Sequence, residues 1–148
     1  MYRSTMTEEK ALENFSKKVD CSQCVFGQFA AQLGLEEKEA MDIANLFGGG
    51  MMHGNVCGAV TGALMAIGLK CGQLDGTYYE NKEAAIQMKN EFEEAFTDEF
   101  GTLICSEMLG KKIPEEFPQA VQEGKTKTVC APAVTLACNI LEELFNRQ

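Results

Sequence analysis

No stretch of this chain alternates apolar and polar residues long enough to make a strand, whereas apolar residues recur at three- and four-residue intervals along most of it. That pattern restricts the chain to an all-α fold. With 148 residues, 45% of them hydrophobic, it has enough material for one domain with its own core and too little for two. The expectation is a single-domain helical bundle of about five to seven helices spanning residues 1–148.

Local signals place those helices. Thr5 and Glu8 stand in capping-box spacing ahead of a short helix from about Met6 to Lys17. Asp20 and Gln23 repeat the signal, followed by an apolar stripe of Val25, Phe26, Phe29 and Leu33 and a stop at Gly34. Glu36 to Phe47 is acidic in its first turn and apolar at Ala40, Ile43, Ala44 and Phe47, and it breaks at Gly48-Gly49-Gly50. Asn55 caps a helix to about Lys70, in which Gly58, Gly62 and Ala66 recur every fourth residue. Small residues at that spacing let a neighbouring helix approach closely; contact of Gly58 and Gly62 with a cofactor is the lesser alternative. Asp75-Gly76 marks a turn, and a long helix from about Glu80 to Phe100 carries Met88, Phe92, Phe96 and Phe100 before Gly101 ends it. Thr102 caps a short helix to Leu109, Gly110 to Lys127 reads as a loop, and the last helix runs from about Thr128 to Phe145 with Pro132 in its first turn.

Several function classes fall away on composition. A net charge of −9 repels nucleic-acid phosphates and anionic lipid headgroups, so nucleic-acid binding is not expected, and neither is membrane insertion. The longest apolar run, Val56 to Leu69, falls short of the roughly twenty residues that span a bilayer. The polar N-terminus lacks the apolar region of an export signal, which points to the cytoplasm. A single histidine, His53, cannot build a centre that needs two imidazoles. His53 and Cys57, four apart, could form a base and nucleophile only if their helix began before Asn55, and an ordinary loop histidine is the preferred reading.

Against that background stand seven cysteines, an odd number that suits metal or redox chemistry in a reducing compartment better than a disulfide framework. Cys21, Cys57, Cys105 and Cys130 all fall in expected first turns, where unpaired N–H groups and the helix dipole favour a thiolate. Cys71 and Cys138 read as small core residues. Cys21-Ser-Gln-Cys24 is formally a CxxC but lacks the βαβ setting of a thioredoxin, which leaves Cys24 as a local dithiol partner or spare ligand.

These residues also carry a resemblance. Asp20-Cys21-Ser22-Gln23, Phe47-Gly48-Gly49-Gly50-Met51, Cys57-Gly58-Ala59-Val60-Thr61-Gly62, Phe100-Gly101 with Cys105, and finally Cys130 together resemble the C_GCAxxG_C_C family of redox-active proteins over nearly the whole chain. The resemblance implies redox chemistry at the four cysteines for which the family is named, and an origin among anaerobic bacteria and archaea. Those four match Cys21, Cys57, Cys105 and Cys130, while Cys24, Cys71 and Cys138 lie outside the pattern.

Three readings follow. In the first, the four cysteines ligate an iron–sulfur cluster, with zinc the lesser candidate. In the second, no cofactor is bound and pairs such as Cys21 with Cys57, or Cys105 with Cys130, cycle as redox-active thiols. In the third, the chain is a helical scaffold for a partner. A redox partner is expected under the first two, and a homo-oligomer is open under all three.

Overall fold

The computed structural model describes residues 1–147. Among them are eight α-helices and no strand: α1 Glu8–Ser16, α2 Cys21–Ala30, α3 Glu37–Ile43, α4 Gly58–Gly72, α5 Tyr78–Phe100, α6 Cys105–Leu109, α7 Phe117–Gln122 and α8 Ala131–Asn146. Six are seven residues or longer, within the expected number; α6 and α7 are the short ones. The chain is one all-α domain.

α2 and α4 form its spine. The Asp20–Gln23 capping box is present, with the Asp20 N–H donating to Gln23 Oε1 at 2.8 Å. A Cβ at Gly62 would stand 2.6 Å from the Ser22 carbonyl oxygen, so glycine there lets the two backbones touch. The spaced glycines of α4 are thus engaged in helix packing. On the far side, α5 and α8 cover the spine with Phe92, Phe96, Val134, Ala137 and Leu141, all essentially inaccessible to solvent, and Phe29 meets Phe145 edge-on at 5.5 Å. The N-terminal segment is tied to α8 by paired bonds between Tyr2 and Asn146 at 2.8 Å.

Some boundaries differ from expectation, each for a local reason. α1 begins at Glu8 because Thr7, not Thr5, caps it by accepting the Lys10 N–H. α3 stops at Ile43 and packs on α2 through Ala40 and Ala44, leaving Ile43 and Phe47 exposed rather than buried. The expected loop over Gly110–Lys127 contains α7, which takes Pro118 in its first turn. The helical run Thr126–Asn146 is long and apolar enough to cross a membrane, which the segment singled out from sequence is not, and half of its apolar window is buried within the fold.

α5 starts at Tyr78, two residues before the expected Glu80, because Thr77 and Glu80 cap each other's backbone N–H groups at 3.1 and 2.8 Å. Thr77→Ala removes the accepting oxygen. It is expected to cost about 1 kcal/mol and lower the melting midpoint by about 3 °C in thermal unfolding followed by circular dichroism.

Candidate thiol redox site

Cys21, Cys57, Cys105 and Cys130 come from four separate segments. Cys21 is the first residue of α2, and its Cβ lies 3.1 Å from where a Cβ on Gly58 would stand, so the starts of α2 and α4 meet at one corner. Cys57 is the cap residue of α4, not an interior one as Asn55 capping would have made it. The reason is a long-range pairing: Val56 and Ile104 form an antiparallel bridge, the Cys57 N–H donates to Leu103 O at 2.7 Å, and the Cys105 N–H donates to Asn55 O at 2.6 Å. Residues 55–57 are held extended by those bonds, and the helix begins only after them. The same pairing carries Cys105 to the corner at the first position of α6, three residues after Thr102, whose hydroxyl accepts the Ile104 N–H.

Cys130 differs from its expected setting. It closes a wide helical turn, Thr126–Cys130, that runs without interruption into α8, so it sits at a joint between helical segments and not at a free helix start. From that joint it packs on the small apolar cluster of Cys105, Leu109 and Ile113.

The four thiols are close enough to act on one another. Burial raises the pKa of Cys21 well above the ordinary thiol value, and Cys57, Cys130, Cys24 and Cys105 add to the rise as neighbouring negative charges. Burial also pushes Cys130 and Cys105 to about 12, with Cys57 the next cause in both and Cys105 a further one for Cys130. Of the four, Cys57 is the thiol whose charge would most disfavour ionisation of each of the other three. Burial raises Cys57 as well, although the Ala59 and Val60 N–H groups donate to its sulfur and pull the other way.

Those directions correct one expectation. Helix starts do present N–H groups to Cys57, but desolvation outweighs them, and unliganded thiols at this corner stay protonated. Cys71 and Cys138 are buried core residues, as anticipated, and Cys24, left open as a dithiol partner or spare ligand, is buried with its sulfur accepting from Asn14 Nδ2 at 3.6 Å. All seven are free thiols.

Gly58 and Gly62 sit beside the corner and are occupied by packing: the Cβ position of Gly58 is 2.9 Å from Gly48 Cα, and that of Gly62 meets Ser22. His53 is exposed and lines an open groove with Ser106, Glu107, Lys111 and Ile113, whereas Cys57 is buried, so no Cys–His pair forms. Sequence reasoning missed the conformation of the segment that adjoins the corner. Gly49, Gly50, Met51 and Met52 all have positive φ, between 58° and 63°, which amounts to one turn of left-handed helix. The glycine run hinted at it; nothing in the sequence marks Met51 and Met52.

As a holder of metal, the corner meets one test and fails another. Four converging thiols are the ligand set of an iron–sulfur cluster. A single tetrahedral zinc ion would need its sulfurs within about 3.8 Å of one another, given Zn–S distances near 2.3 Å. Among the described residues no three His, Cys, Asp or Glu side chains are grouped closely enough to share one ion.

No curated protein and no solved structure matches the chain. A family model described as "Putative redox-active protein (C_GCAxxG_C_C)" matches residues 19–144, which include all four converging cysteines and both helices of the spine. The chain belongs to that redox-active family.

Proposed function

We propose that Cys21, Cys57, Cys105 and Cys130 hold an iron–sulfur cluster and that the protein is an electron carrier working with a redox partner in the cytoplasm. The observation that carries this reading is the meeting of four cysteines from four segments: Cys21 abuts the start of α4 at Gly58, the backbone bonds of the 55–57 and 103–105 segments bring Cys57 and Cys105 together, and Cys130 packs on the cluster that contains Cys105. A cluster takes four thiolates and spreads them over more than one metal atom, so its ligands need not surround a single ion. When bound, such a group accepts and releases single electrons.

The chain's own residues supply the rest. The Ala59 and Val60 N–H groups donate to Cys57 and favour its thiolate form. The N-terminal ends of α2 and α4 bring positive partial charge toward a ligand set that is negative once deprotonated. Cys57 and Cys105 are 6% and 8% exposed, so the corner excludes most water. Buried thiols with pKa values near 12 are poor partners in thiol–disulfide exchange, which needs the thiolate. A bound cation removes that obstacle by taking the place of the protons.

The test is iron and acid-labile sulfide analysis, with a visible spectrum, of protein purified without oxygen. Stoichiometric iron and sulfide with visible absorption is expected. Folded, colourless, iron-free protein that gains a disulfide among these four on mild oxidation would replace this reading with the cofactor-free dithiol one.

A further inference from the structure

The segment between α3 and α4 is anchored at both ends of the thiol corner and strained between them. At its start, Gly48 is wedged between Asp20 and α4: a Cβ there would meet Asp20 Cβ at 2.6 Å. Thr61 Oγ1 donates to the Phe47 carbonyl oxygen at 3.1 Å, which fixes the same end to α4. At the other end Gly54 is buried on α6, with Ser106 and Ile113 within 3.2 Å of its Cβ position, and Asn55 bonds to Cys105. The left-handed turn lies between these anchors and is closed by the Asn55 N–H donating to Gly50 O at 3.1 Å.

Glycine enters that conformation freely; methionine does not, because its Cβ crowds the following carbonyl. Met51 and Met52 hold it with φ of 58° and 62°. Their side chains do not compensate by burial, since they are 36% and 53% exposed. The anchors set the turn beside the least accessible pair of the four thiols: Gly48 packs on Gly58, next to Cys57, Gly54 packs on Ser106, next to Cys105, and the two cysteines are 6% and 8% exposed.

We propose that residues 48–55 are a strained strap beside the thiol corner, and that uncoiling of its left-handed turn is the opening through which thiol-seeking reagents and soft metal ions reach Cys57 and Cys105. The strap stands whether the thiols hold a cluster or cycle as a dithiol. Opening relieves the methionine strain, so the closed state is less favoured than in a strain-free loop, and the open fraction is set by this turn and not by global unfolding.

The probe is N-ethylmaleimide on the full chain, reduced and freed of metal by chelation, with labelling at each cysteine followed by mass spectrometry. Met51→Gly/Met52→Gly removes the strain from the closed form and should slow labelling of Cys57 and Cys105 by about tenfold, after allowing for the freedom glycine adds to the open form. Gly50→Ala acts in the opposite direction, because its Cβ would lie 2.2 Å from the Asn55 nitrogen and the turn cannot close. It should speed labelling of the same two residues at least as much. Cys71 and Cys138, buried elsewhere, should keep the wild-type rate in both variants. Unchanged rates at Cys57 and Cys105 in the double glycine variant, or rates that move in step with Cys71 and Cys138, would overturn the proposal. If Gly50→Ala does not fold, the double glycine variant decides alone.

Discussion

Gly62→Ala is expected to destabilise the protein by about 3 kcal/mol and lower its melting midpoint by roughly 6–12 °C, the upper end of what overpacking one methyl group does. The added Cβ would meet the Ser22 carbonyl oxygen at 2.6 Å and Ser22 Cα at 3.1 Å. Both are backbone atoms of a helix, with no side-chain rotation available to make room. Ser22 is also fully buried and donates from Oγ to Ala44 O at 2.8 Å, so α2 cannot yield without disturbing α3. Gly68→Ala is the control on the same helix. Its Cβ meets nothing within 4 Å, and alanine at that exposed site should raise stability by about 0.5–1 kcal/mol through lower unfolded-state entropy. Thermal or urea unfolding of the two variants reads both signs. Equal effects would mean that helix propensity, and not the close approach of α2, decides the role of these glycines.

Single Cys→Ser variants should separate Cys21, Cys57, Cys105 and Cys130 from the core cysteines Cys71 and Cys138. Substitution at Cys21, Cys57, Cys105 or Cys130 is expected to reduce bound iron and visible absorption at least tenfold, since a cluster missing one of four protein ligands is seldom retained. Cys71→Ser and Cys138→Ser should leave iron content unchanged while costing about 1–3 kcal/mol, because each puts a more polar hydroxyl in place of a buried sulfur. Cys57→Ser should have the largest effect of the four, given its central place among the thiols. Iron retained in all four variants would leave the cysteines as packing residues and favour the scaffold reading.

Much of this was legible in the sequence because it rests on local rules. The Asp20–Gln23 box, the Gly34 and Gly101 stops and the fourfold stripe through Phe92 and Phe96 each depend on residues within a turn or two of one another. The placement of the four cysteines near segment boundaries was legible too, since each lies within about two residues of one, where tertiary contacts gather. The physical ground offered for it was incomplete. Helix starts favour thiolates, yet the convergence that makes the site also buries it, and desolvation then outweighs the dipole. What escaped the sequence is what long-range pairing imposes: the Val56–Ile104 bridge that delays α4, and the left-handed conformation forced on Met51 and Met52 between fixed anchors.

That bridge also orders events in time. It joins two parts of the chain with all of α4 and α5 between them, so the corner is completed only after a long loop has closed, and such closures come late and slow the folding of small proteins. α2, α4 and α5 can form from local contacts while Cys105 and Cys130 are still far from Cys57. Any chain in which that loop has not closed holds Cys105 apart from Cys57, and its exposed thiols are then open to oxygen or to a wrong partner in a way that those of the completed corner are not.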